Sequence, residues 1–301
     1  RVQTDLYRQQ NKELKEQSQI AKNQQFDSSY FSYLKIFNNY KNSLNSLSET
    51  GNFFGDIVLE LREIEIIDNE IEKTLNKICD GYLVVFTRNR DKLSPYFKTL
   101  YRIMVLIDIS NIDDHKKEEY FKFLRSQLSD VELLVLNYNY HTNLGIKVRG
   151  LIIKYNFLKH LNIFDKLEFS FDLSDEVKFN IESFLKYNEL KIREGIRDYK
   201  NIESSEDIDR SYFQNILNLK VEIKLIIKER FIFSITFEKK DLHEHEVLNN
   251  EFIENLIKRH LYTVLFMSQY LKANEDEFLT STIDSDEKIE YQFTIINIEN
   301  L

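Results

Sequence analysis

The chain of 301 residues has 41 basic and 50 acidic side chains, a formal charge of −9, and 42% hydrophobic positions, the composition of a folded protein. It holds six glycines and one proline, where average usage would supply about 36 of the two together, and so has no GxGxxG or GxxxxGK[ST] loop to wrap backbone amides around a phosphate. The single cysteine, Cys79, excludes an internal disulfide and any cysteine-based zinc cluster, and a reducing cytoplasm is the compartment that fits.

Residues 1–26 are rich in helix formers and carry a thin stripe of Val2, Leu6, Leu14, Ile20 and Phe26. A helix this polar needs a partner or two bodies to join, so the segment reads as a connecting helix or weak coiled coil, and self-pairing of it points to a homo-oligomer. The chain opens at Arg1 inside this helical pattern, from which we expect a further segment upstream. Tyr30, Tyr33, Leu34, Phe37, Lys41, Leu44 and Leu47 then follow helical spacing, with the aliphatic stem of Lys41 tolerable on an apolar face.

After a turn at Gly51 to Gly55, one helix is expected to carry Ile57, Leu61, Ile64, Ile71, Leu75 and Ile78 on a single face. Ser94-Pro95 predicts a helix start for Tyr96 to Ile109, and another helix runs from about Asp113 to Leu128. Ser129-Asp130-Val131-Glu132 has the spacing of a capping box and opens the next helix. Helices near Lys147 to Leu161 and Ser174 to Leu190 complete this part. The apolar runs, such as Ile103 to Ile107, fall far short of the roughly 20 residues of a bilayer span.

From Leu219 the period becomes two. Leu219 to Ile227 and Phe231 to Phe237 alternate apolar with polar residues and predict an antiparallel hairpin. A long helix from about Leu242 to Ala273 should pack on it, with further strands near Phe278 to Ile283 and Ile289 to Ile298. The fold class is therefore mainly α, with an N-terminal bundle of six to eight helices and a smaller α+β domain of antiparallel strands. The acidic loop Asn201 to Asp209 is the expected boundary, giving residues 1–26, 27–200 and 201–301.

Chemistry-bearing clusters are few. His243-Glu244-His245-Glu246 is the densest group of metal-ligand types, but it lacks the HExxH spacing, and a solvated helix start is the simpler reading. No metal or cofactor is expected. Arg102, Arg125, Gln127 and Glu132 lie among strongly apolar helices, where a guanidinium normally meets a carboxylate or carbonyl. Arg125 is expected to face inward and pair with Glu132 or Asp108. A helical ribonuclease of the HEPN type would want an arginine followed four to six residues later by histidine, whereas Arg125 has Asp130 at plus five.

Three stretches carry a family resemblance: Tyr96 to Arg102 (YFKTLYR) with Ile107-Asp108; Phe123 to Ser129 (FLRSQLS) with Glu132-Leu133-Leu134 and Asn137-Tyr138-Asn139; and Leu151-Ile152, Lys154-Tyr155, Leu158 and Leu161. In these the chain resembles the phage abortive infection proteins of the AbiC type, over residues 1 to about 165. The resemblance implies a membrane-anchored anti-phage defence protein that halts phage multiplication by arresting or harming the infected cell. It further implies a cytoplasmic sensor and effector portion facing an unidentified phage-derived trigger, protein or nucleic acid, with the membrane reached through a segment outside this chain. No catalytic residue is carried over; Arg102, Arg125, Gln127 and Glu132 are candidates for ordering the bundle or meeting a trigger. Two rivals remain, the HEPN-like ribonuclease toxin and a non-enzymatic helical interaction scaffold. A basic cleft holding Arg125 and a histidine favours the first, and a large exposed apolar patch with no polar pocket favours the second.

Overall fold

Helical periodicity without glycine or proline explains the first element, α1, a single helix over Val2–Ser46. The computed structural model of the protein describes residues 2–64, 71–169, 173–201, 207–243, 250–265 and 278–296. They form two compact units, residues 1–60 with 82–151 and residues 61–81 with 152–301.

In the first unit, α1 is joined by α2 (Phe53–Arg62), α4 (Arg90–Asp108), α5 (Asp114–Arg125) and α6 (Asp130–His141), with the C-terminal part of α3 (Ile71–Arg88) and the start of α7 (Ile146–Lys154). Tyr30, Leu34, Phe37 and Leu44 of α1 are buried as their spacing requires, whereas Tyr33 and Leu47 are exposed. Tyr33 lies one residue off the stripe, about 100° around the helix, and Leu47 follows the helix end. The face beginning at Ile57 is divided between α2 and α3 rather than continuing as one helix, and residues 65–70 lie outside the described residues.

Helix α4 begins at Arg90, so Pro95 sits in its second turn instead of opening it. A proline there removes one intrahelical donor, that to the carbonyl of Asp91. Asp91 and Pro95 are both exposed, so water can satisfy that carbonyl. Helices α5 and α6 start where their caps predict: the Asp113 side chain accepts from the Lys116 amide, and Ser129 with Glu132 forms the complete capping box.

The second unit is a five-stranded antiparallel sheet with helices. Strands β1 (Ile208–Ile216), β2 (Leu219–Ile227), β3 (Phe231–Glu238), β4 (Phe278–Asp284) and β5 (Lys288–Ile295) lie in the order β1-β2-β3-β5-β4. The expected hairpin is present, with Leu225 opposite Phe233 and Val221 opposite Phe237. Its alternating residues, Val221 to Ile227 and Phe231 to Phe237, share one core with Tyr291 and Phe293 of β5. Helix α8 (Asp175–Asn201) packs on β1 and β2 and runs eleven residues past its expected end at Leu190. Gly195 permits the close approach, since a Cβ there would stand 2.4 Å from the Leu225 Cδ2. The long helix expected after Leu242 is described as α9 (Lys239–His243) and α10 (Asn250–Leu265). Leu256, Ile257 and Leu261 of α10 belong to the same core as the sheet.

Candidate functional site

The residues singled out from sequence fall at two places in the first unit. Glu132 is the third residue of α6 and only 3% exposed. Its Oε2 accepts from the Ser129 amide (2.8 Å), the Ser129 hydroxyl (3.0 Å) and the Lys41 Nζ (3.1 Å), and its Oε1 accepts from the Tyr96 hydroxyl (2.8 Å). The Lys41 ammonium also donates to the Gln127 carbonyl, and the Gln127 side-chain oxygen accepts from Asn38 Nδ2 at 3.3 Å. One buried carboxylate thereby fastens α1, α4 and the turn before α6. Burial, with Glu132 adjacent, holds the Tyr96 phenol far above its ordinary value, so it stays a neutral donor. With four donors on its two oxygens and only 3% exposure, Glu132 is a buried carboxylate spent on holding neighbouring elements together, the role of an organising group.

Arg125 closes α5 half-buried, and burial lowers its pKa from the ordinary value. Glu132, one of the two carboxylates expected beside Arg125, is paired instead with Lys41, which comes from the apolar stripe of α1 with its ammonium at the carboxylate. The signal for this was in the sequence: a lysine at a position whose spacing calls for a core residue.

Arg102 is elsewhere. It lines a cleft of about 580 Å³ built by the end of α3 (Leu83, Phe86, Thr87), one face of α4, and residues of α6 and the start of α7. On α4 the positions Arg90, Ser94, Lys98 and Arg102 recur every fourth residue and all line the cleft; Lys147 of α7 adds a fourth cation. Phe86, Phe97, Leu100, Leu136, Leu144 and Val148 supply apolar wall. The lining contains no aspartate or glutamate, and none of the four cations has an ion-pair or hydrogen-bond partner among the described residues. A shallow neighbouring recess that shares Arg90 and Ser94 with the cleft is lined also by Arg88 and Asp91. Neither Arg125 nor any histidine lines the cleft. Sequence reading found Arg102 alone; the four-residue recurrence along α4 is the signal that would have added Arg90 and Lys98, while Lys147 joins them only through the fold.

The second unit has its own buried ion pair, Glu168 with Arg259 at 2.8 Å, and Cys79 nearby. Burial pushes the Cys79 thiol up to about 12, with Glu168 and Asp80 acting in the same direction, which makes it inert as a nucleophile. Residues 244–246 of the histidine and glutamate cluster lie outside the described residues. No group of three potential metal ligands is present among the described residues, and no described helix is long and apolar enough to cross a membrane.

A helical unit with an unneutralised basic cleft is thus the class of protein that fold and site define. Residues 88–166 match the family described as "Putative phage abortive infection protein". That stretch contains the three sequence motifs and most of the cleft, whereas residues before 88, which the resemblance also drew in, lie outside it. No curated protein and no solved structure matches the chain.

Proposed function

We propose that this chain is the cytoplasmic part of an anti-phage defence protein acting by abortive infection, in which the cleft of the first unit receives the signal or ligand that controls the arrest. The observation that supports this reading is the coincidence of the family match with most of the cleft: α4, α6 and α7, which line it together with the end of α3, all lie within residues 88–166. A membrane anchor outside this chain and assembly through α1 belong to the same proposal. The polar cleft weighs against a bare scaffold, and its lack of Arg125 and of a histidine weighs against a HEPN-like nuclease centred there.

The test is phage plating on a bacterial host expressing the protein. Protection against at least one phage of a panel is expected, with infected cultures ceasing growth before progeny are released. Lys98→Glu combined with Arg102→Glu should abolish protection at unchanged protein level. Full protection by that variant would remove the cleft from the mechanism.

A further inference from the structure

The cleft's chemistry is specific enough to name a ligand class. Arg90, Lys98 and Arg102 stand on one α-helical row, and Lys98 and Arg102, four residues apart, repel each other when nothing neutralises them. All three, and Lys147, are exposed. An arrangement that holds four cations together without a carboxylate is suited to a compact polyanion, and the two guanidiniums provide the planar fork that matches phosphate oxygens. A long nucleic acid strand fits less well, because the chain as a whole is acidic at −9.

The remaining wall is apolar and aromatic. Phe86 and Phe97 stack at 6.5 Å with an interplanar angle of 29°, and Tyr101, Leu136 and Leu144 line the same space. Asn139 also lines it; its Nδ2 donates to the Tyr82 hydroxyl at 2.9 Å, which orients the amide and leaves Oδ1 to accept from a ligand amino group. The volume of about 580 Å³ is that of a small-molecule site.

We propose that the cleft binds a nucleoside di- or triphosphate, with the phosphates on the Arg90, Lys98, Arg102 and Lys147 side and the base against the aromatic and aliphatic wall. This deepens the defence reading by naming the ligand of the same cleft, but it stands on the cleft's own lining.

The test is calorimetric titration of the full chain with ATP, ADP, adenosine and tripolyphosphate at low salt. ATP and ADP should bind at least tenfold more tightly than either adenosine or tripolyphosphate, because each of the latter presents half of the required chemistry. Binding of ATP should weaken as salt rises. Lys98→Glu with Arg102→Glu should weaken ATP binding at least thirtyfold, and Lys122→Glu, on the exposed face of α5, should leave it unchanged; melting temperatures of the variants verify folding. Failure of ATP to bind at millimolar concentration overturns the proposal, as does equal affinity for tripolyphosphate and ATP, or ATP binding that survives the double reversal. A twelve-residue oligouridylate displacing ATP at a hundredfold lower concentration overturns it in favour of a strand-binding groove. The readout uses purified protein and no phage, so absent binding with intact protection fails the ligand assignment alone, and binding without protection fails the defence reading alone.

Discussion

Glu132 shows how one side chain can decide the geometry of a helical unit. Its carboxylate is buried, and Lys41 supplies the only ammonium among its described partners. Removing one member of a buried pair leaves an uncompensated charge, which costs about 3 to 5 kcal/mol. Lys41→Met should therefore lower the urea midpoint of the chain substantially, and Lys41→Met with Glu132→Gln should recover part of that loss, because the neutral amide no longer needs the ammonium. Equal losses in the single and double variants would show that the two groups are uncoupled. His260 gives a pH-dependent counterpart in the second unit. Burial pushes its imidazole down from 6.5 to about 4, the backbone hydrogen bond at Leu185 opposes this, and Lys166 and Arg193 add to it; Nε2 has no hydrogen-bond partner. The folded chain thus resists a proton that the unfolded chain accepts. Stability contributed by neutral His260 is complete above pH 6.5 and is lost as pH falls towards 4, by at most about 3 kcal/mol at 1.36 kcal/mol per pKa unit. His260→Gln should flatten the stability profile between those values relative to the parent. Parallel profiles for the two proteins would contradict this.

At the scale of elements, the turn between α6 and α7 is fixed by Gly145. A Cβ there would lie 2.3 Å from the Asn139 carbonyl oxygen and 2.7 Å from the Tyr140 Cα, both backbone atoms that cannot swing away. Gly145→Ala should cost about 1 to 3 kcal/mol and displace Leu144 and Lys147 at the cleft, which denaturation and ATP titration would each register. The sheet offers a second test. Phe233 pairs with Leu225 and with Phe293 at the centre of the core, so Phe233→Asp, which buries an unpaired carboxylate, should abolish cooperative unfolding of the second unit. The central strands were legible because Leu219 to Ile227 and Phe231 to Phe237 are buried on one face, which writes a period of two into the sequence. Strand β1 was not. Only its ends, Ile208 and Ile216, are fully buried; Arg210 and Gln214 stand on the inward face of this edge strand and Phe213 on the outward one, which blurs the alternation in the sequence. Its turn was hidden too, because Leu217 and Asn218 adopt positive φ without a glycine. The cap at Ser129 could be read because capping is local. The Lys41 partnership and the assembled cleft could not, because each joins residues far apart in the chain.

For the whole molecule, the length of α1 sets a requirement that the first unit meets only in part. Phe26, whose ring meets Tyr120 at 4.9 Å, and Asp27, which accepts from the Tyr120 hydroxyl, are held by the unit. Before that point Tyr7, Leu14 and Ile20 are 61%, 62% and 56% exposed on one continuous helix. An isolated helix is marginal in water, and among the described residues the i,i+4 contacts Lys12 with Glu16 and Gln9 with Glu13 are exposed pairs that contribute little. Association through this segment would bury the three side chains and bring several clefts, and any membrane anchors, into one assembly. We expect the chain to self-associate in sedimentation velocity and a version lacking residues 1–22 to sediment as a monomer with its ATP binding intact, since the deletion stops short of Phe26. A monomer in both cases would refute assembly, and an oligomer that persists after the deletion would place its interface outside α1.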